Sequence, residues 1–136
     1  MLLTALERTP ATSNAGLPRP ILIVEDDEAI EFALSDLVTD SGYRTVGARN
    51  GIEALAVLRR KRPLAMILDL MMPHMDGYEL IRNVRADPGL ADLPMLVVTA
   101  AKPVNRDALA GLPVFMKPLD ADAVMDAIRA AVTAGA

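Results

Sequence analysis

The sequence predicts a doubly wound α/β domain: a five-stranded parallel sheet in the order 2-1-3-4-5, held between two layers of helices. Two observations carry that prediction. Residues 21–24, 64–68 and 95–98 are short runs, apolar on both faces, which fit central strands covered by helices on each side. Between them lie longer segments with apolar residues at helical spacing, opened by capping residues and closed by breakers.

Residues 1–18 contain Thr9-Pro10, Ser13-Asn14, Gly16 and Pro18 without a usable period, and are expected to form a flexible extension ahead of a domain at 19–136. The first strand, Ile21-Leu22-Ile23-Val24, ends abruptly in Glu25-Asp26-Asp27, with Asp27 placed to cap a helix. In that helix Ile30, Leu34, Leu37 and Val38 share a face, and Gly42 offers a left-handed stop. Residues 43–46 alternate, as an edge strand should, and this puts the second strand at the border of the sheet. Asn50 and Glu53 resemble a capping box before Leu55, Ala56 and Leu58, and Pro63 forbids continuation. The third strand ends in Asp69. Asp76 and Glu79 repeat the capping pattern ahead of Leu80, Ile81 and Val84, and Asp87-Pro88-Gly89 closes that helix. The fourth strand ends in Thr99-Ala100. Residues 114–116 form a short fifth strand ending in Lys117-Pro118, and Asp120 caps a last helix that buries Val124, Ala127, Ile128, Ala131 and Val132.

Composition narrows the function classes. The absence of cysteine removes disulfide frameworks and thiolate metal or redox sites. No apolar run approaches the roughly 18 residues a membrane span needs, and the N-terminus lacks the basic-then-apolar order of a secretion signal, so a cytoplasmic location is expected. A formal net charge of -4 gives no general attraction to nucleic acid. The single basic run, Arg59-Arg60-Lys61-Arg62, closes a helix, where the helix dipole favours cations.

In a sheet of this order ligands bind at the carboxyl ends of the strands, beside the switch point between the first and third. Four strand ends there carry Glu25-Asp26, Asp69, Thr99-Ala100 and Lys117. Carboxylates brought together repel, which raises a pKa or demands a cation. A hard, oxygen-seeking ion such as Mg²⁺ resolves the conflict while still accepting phosphate oxygens. With the metal in place Asp69 can serve as an ionised nucleophile toward phosphorus, while Lys117 supplies positive charge and Thr99 a hydroxyl donor.

These residues resemble the receiver domains of two-component response regulators, a flavodoxin-like three-layer family, over about Arg19 to Val132; the chain is similar to single-domain chemotaxis-type receivers. The resemblance rests on Ile21-Leu22-Ile23-Val24-Glu25-Asp26-Asp27-Glu28, on Leu68-Asp69-Leu70-Met71-Met72-Pro73-His74-Met75-Asp76-Gly77, on Val98-Thr99-Ala100 and on Met116-Lys117-Pro118-Leu119. It implies that Asp69 accepts a phosphoryl group and that Mg²⁺ (or Mn²⁺) is held by the carboxylates of Asp26 and Asp69, the backbone carbonyl of Met71 and, through a water, Glu25. It implies further that Lys117 pairs with the acceptor or the phosphoryl group, that Thr99 turns toward a phosphoryl oxygen with the Ala100 amide beside it, and that Lys117-Pro118 is a cis peptide. The donor it implies is a phosphohistidine on a sensor histidine kinase or a histidine phosphotransfer protein, and the readout face is that of the fourth helix, fifth strand and fifth helix. Such a protein catalyses its own phosphorylation and dephosphorylation without being a turnover enzyme, and it contacts neither nucleic acid nor membrane directly.

The sequence also departs from the family pattern. The stretch from Thr99 to Lys117 is shorter than usual, so the fourth helix, near residues 104–110, is expected to be short or irregular. The family's switch aromatic falls on Val114, and Phe115 next to it should face the opposite side of the sheet. Met71 and Ala101, at positions that tune phosphoryl hydrolysis in this family, offer no polar group, which suggests a long-lived phosphoryl state. His74 and the methionines Met71, Met72 and Met75 are expected in loop and packing roles, and Tyr78 as a partly exposed helix residue. A haloacid-dehalogenase-like phosphatase would place a second Asp where Met71 stands, and a flavin carrier would need a Ser, Thr and Gly-rich first loop where Glu25-Asp26-Asp27 stands. A pseudo-receiver that works without phosphorylation remains the other alternative.

Overall fold

The computed structural model describes residues 18–109 and 111–135; the expected extension at 1–18 therefore lies, but for Pro18, outside the described residues. The chain runs β1 (Ile21–Val24), α1 (Glu28–Asp40), β2 (Thr45–Ala48), α2 (Gly51–Arg60), β3 (Ala65–Leu68), α3 (Gly77–Ala86), β4 (Met95–Thr99), α4 (Arg106–Leu109), β5 (Val114–Met116) and α5 (Ala121–Gly135). The strands form one parallel sheet in the order β2-β1-β3-β4-β5, as the sequence predicts.

Alternation along the central strands divides the core in two. Leu22, Val24, Met66, Leu68 and Val97 face α2 and α3, with Ala54, Val57, Leu58, Leu80, Ile81 and Val84 packed on them. Ile21, Ile23, Ile67, Leu96 and Val98 face the other way, onto Leu34 and Val38 of α1 and Val124, Met125 and Ile128 of α5. Side chains of β1, β3 and β4 are buried on both faces, which is why these strands read as unbroken apolar runs.

The helix ends follow the sequence signals. Asp27 Oδ1 accepts the N–H groups of Ala29 and Ile30 at 2.9 and 3.2 Å. Gly42 leaves α1 at φ 95, a left-handed conformation that costs glycine little. Asn50 accepts from Glu53 N–H at 2.9 Å, and the Glu53 carboxylate reaches back to Arg49 N–H rather than to the cap's own N–H. Asp87, before Pro88, turns extended and ends α3. Asp120 accepts from Ala123 N–H at 3.2 Å at the start of α5.

The edge strand departs from expectation. The alternation marks 43–46, but β2 is Thr45–Ala48, paired Ile21 with Thr45 through Val24 with Ala48. Gly47 is a weak strand former on its own. Pairing to a fully buried neighbour carries the ladder past it, a tertiary contact overriding local preference. The structure also makes α4 a single turn of four residues.

Candidate functional site

The sheet's register builds the site. Val24 pairs with Leu68, so Glu25 and Asp69, the next residue on each strand, emerge side by side; Asp69 N–H donates to the Val24 carbonyl at 3.1 Å. Thr99 pairs with Met116, and Lys117 N–H donates to the Thr99 carbonyl at 2.9 Å. Backbone ladders alone thus bring positions 25, 69, 99 and 117 to one rim.

Side chains then converge. Oxygens of Glu25, Asp26 and Asp69 all lie within 4.8 Å of one another. Lys117 Nζ stands between two of these acids, donating to Glu25 Oε1 at 2.8 Å and to Asp69 Oδ2 at 3.1 Å. Glu25 and Asp69 are only 2% and 5% exposed, and Asp26 is half-buried. Burial pushes the Glu25 carboxyl above its ordinary pKa, and its bond to Lys117 offsets this only partly. Burial works against the Lys117 charge as well, but the hydrogen bonds and charges of Glu25 and Asp69 together outweigh it and hold the ammonium above the ordinary lysine value. One cation among three clustered carboxylates leaves an excess of negative charge at the rim, the electrostatic setting that attracts a small divalent ion.

Asp69 is held at both oxygens: Oδ1 accepts the Met71 N–H at 3.2 Å while Oδ2 faces Lys117. The Met71 side chain is 65% exposed over the rim and takes no part in the core. Thr99 is fully buried, and its hydroxyl is engaged two residues on, accepting the Ala101 N–H at 3.0 Å, rather than joined to the acids. Ala100, between them, is exposed. The Lys117–Pro118 bond is cis. Val114 packs toward the α2–α3 side and Phe115 toward the α1–α5 side, the opposed placement that alternation predicts.

Sequence reasoning passed over the role of Gly77. A Cβ there would lie 2.5 Å from the Asp69 carbonyl oxygen and 2.7 Å from Leu70 Cα, both backbone atoms that cannot step aside cheaply. Its N–H donates to the Leu70 carbonyl at 3.0 Å. Helix α3 is therefore seated directly on the chain that carries Asp69. The available signal was a glycine at the first position of a helix, where its poor propensity asks for a reason. His74 lies exposed in the intervening loop with φ 68, and Met75 N–H donates to the Pro73 carbonyl at 2.8 Å, a γ-turn that also lets Gly51 N–H reach the Met75 carbonyl at 3.2 Å.

Comparison with known proteins agrees with this arrangement. The family described as "Response regulator receiver domain" matches residues 21–129. The response regulator MprA of Mycobacterium sp. (strain KMS) is 41% identical over 96 residues, which is 71% of this chain and 40% of that protein. The chain thus spans about two fifths of the length of the curated relatives matched first. Among solved structures, a sensor protein from Polaromonas sp. JS666 superposes with a TM-score of 0.78 at 32% identity, covering 88% of this chain and 100% of that one. The receiver domain of sensor histidine kinase PA1611 from Pseudomonas aeruginosa PAO1, described with a magnesium ion coordinated in its active-site cleft, superposes with a TM-score of 0.77 at 26% identity over 85% of this chain and 98% of its own.

Proposed function

The chain belongs to the response regulator receiver domain family, and from that premise we propose that it is a phosphoacceptor that takes a phosphoryl group onto Asp69 and signals by the change of shape that follows. The observation that carries the proposal is the meeting of Asp69 with Glu25, Asp26 and Lys117 at one strand rim.

The donor set fits a hard divalent cation, Mg²⁺ or Mn²⁺: three carboxylates within reach of one another and no nitrogen or sulfur ligand among them. Asp26, Asp69 and the Met71 carbonyl would hold it, with Glu25 outside them. When bound, the ion neutralises the carboxylates and the incoming phosphoryl oxygens. The magnesium ion described for the PA1611 receiver domain supports this choice.

The rest is work for the protein's own groups. Both Asp69 oxygens are oriented before a donor arrives, by Met71 N–H and by Lys117, which removes much of the entropic cost of attack. A carboxylate oxygen forms its bond to phosphorus as the phosphorus–nitrogen bond of a phosphohistidine breaks, and the bonding pair leaves with the imidazole. Lys117 then pairs with the phosphoryl charge. The Thr99 hydroxyl turns from Ala101 N–H to donate to a phosphoryl oxygen, with the Ala100 N–H alongside, and so moves the loop after β4.

The donor is a sensor histidine kinase or a histidine phosphotransfer protein in the cytoplasm. The signal leaves to a protein partner through the face of α4, β5 and α5, or by onward phosphotransfer, without nucleic acid or membrane. Among the described residues no helix is long and apolar enough to cross a membrane. The protein is not a turnover enzyme, since the second acid a phosphatase needs two residues past the nucleophile is Met71. With apolar Met71 and Ala101 offering no group to orient a water, loss of phosphate is slow.

The test is incubation with Mg²⁺ and acetyl phosphate followed by intact mass measurement. One added phosphoryl group is expected, absent in Asp69→Asn and absent without a divalent ion. An unchanged mass for the unaltered protein would overturn the proposal, and steady release of phosphate from simple esters would replace it with a phosphatase.

A further inference from the structure

Helix α4 is a single turn, and two side-chain oxygens bracket the loop that leads to it. At the near end Thr99 Oγ1 accepts the Ala101 N–H at 3.0 Å. At the far end the Tyr78 hydroxyl accepts the Asn105 N–H at 2.9 Å, across 27 residues of sequence. Asn105 is itself the residue that starts α4, its Oδ1 accepting the Ala108 N–H at 3.2 Å. Whatever fixes Asn105 fixes where the turn begins.

Tyr78 is well placed for that task. It follows Gly77, whose backbone lies against Asp69 and Leu70, so its own position is set by the acceptor's strand end. Its ring packs half-buried against the same apolar cluster as Val104 and Val114. An open concavity of about 480 Å³, lined by Asp76, Tyr78, Arg82, Pro103, Asn105 and Ala108, lies between α3 and the loop, so the loop has room to shift on that side. Val114, on β5, is aliphatic and carries no hydroxyl that could take over the contact.

The geometry points to Tyr78 as a positioning residue that ties the β4–α4 loop and the start of α4 to the strand end bearing Asp69, and so couples phosphorylation there to the α4 surface. The inference rests on the phosphoacceptor reading. Thr99 and Tyr78 hold opposite ends of one six-residue loop (100–105), so a pull at Thr99 is resisted at Asn105 and the strain reaches the first turn of α4.

Tyr78→Phe keeps the ring and deletes only the acceptor. Amide hydrogen exchange on the full chain, before and after loading with acetyl phosphate and Mg²⁺, reads both halves of the inference. Before loading, the Asn105 amide is expected to exchange about fivefold faster in the variant, the factor one net hydrogen bond carries, with the amides of β1 and β3 unchanged as proof of folding. After loading, the exchange change across residues 105–109 seen in the unaltered protein is expected to be at least halved in the variant, while the extent of loading by intact mass stays equal. Equal loading with an unaltered response at 105–109 overturns the coupling alone. Failure of the unaltered protein to load overturns the phosphoacceptor reading and the coupling with it.

Discussion

On the β1–β3 side of the rim, two strands with no exposed residue are joined by four register pairs and followed by helices of 13 and 10 residues. On the β4–β5 side the last strand has three half-buried residues and the helix before it has four. The first side carries every carboxylate of the site, and the second carries the hydroxyl and the face proposed to be read. Phosphoryl chemistry depends on sub-ångström placement of the acceptor, which rigid packing provides. A readout depends on a segment whose opening costs little, and few buried contacts provide that. The contrast suggests a fixed half for chemistry and an adjustable half for signalling.

The largest expected effect tests the contrast directly. Leu68→Ala removes a fully buried side chain one residue before Asp69 and should cost about 2–5 kcal/mol by chemical denaturation. Val114→Ala, at the matching layer of the half-buried strand, should cost about 1 kcal/mol. Equal costs would break the comparison. Next comes the cation. Mg²⁺ at about a hundred times its dissociation constant should stabilise the protein by about 2.7 kcal/mol, read as a rise in melting temperature, with added amide protection confined to the loops after β1 and β3. In Asp26→Asn that gain should vanish, while the metal-free variant is no less stable than its parent, because a repelling carboxylate has gone. Protection spreading into α4 on metal binding alone would show that the halves are not separable. Gly77→Ala should cost about 1–3 kcal/mol through overpacking against the Asp69 backbone, and should slow loading from acetyl phosphate more than its stability loss accounts for.

How far each half was legible follows from the same contrast. The central strands announce themselves because a segment buried on two faces must be apolar throughout, and Asp69 and Glu25 stand out against that background. Parallel pairing then makes residues that end their strands neighbours, so the acid cluster could be read from four sequence positions. The edge was misplaced by two residues since β2 takes its register from β1, and Gly47 carries no local sign of that pairing. Gly77 and Tyr78 escaped for a different reason. Their work is a close approach to backbone and one hydrogen bond across the sheet's end, and neither has a period or a composition. The brevity of α4 could be expected from spacing, but its partner on α3 could not.

Two helix caps give the smallest and most selective test. Asp76 accepts the Glu79 N–H at 2.9 Å at the head of α3, and Asn105 makes the equivalent bond to Ala108 at 3.2 Å at the head of α4. The chemistry of the two deletions is the same, one side-chain acceptor removed from one orphan N–H. Their surroundings are not. Beyond Asp76 lie ten helical residues with Leu80, Ile81 and Val84 in the core, so fraying the first turn loosens packing under Asp69. Among the described residues of α4 only Leu109 is buried, and the turn is held from outside by the Tyr78 hydroxyl. Asp76→Ala should therefore cost about 1 kcal/mol and Asn105→Ala about 0.5 kcal/mol or less in global stability. In local amide exchange the order should reverse, with the α4 amides losing the larger share of their protection, since a segment that opens independently reports its own cap and not that of the whole fold. If the same order appears in both measurements, α4 unfolds only with the rest of the chain and is no adjustable half at all.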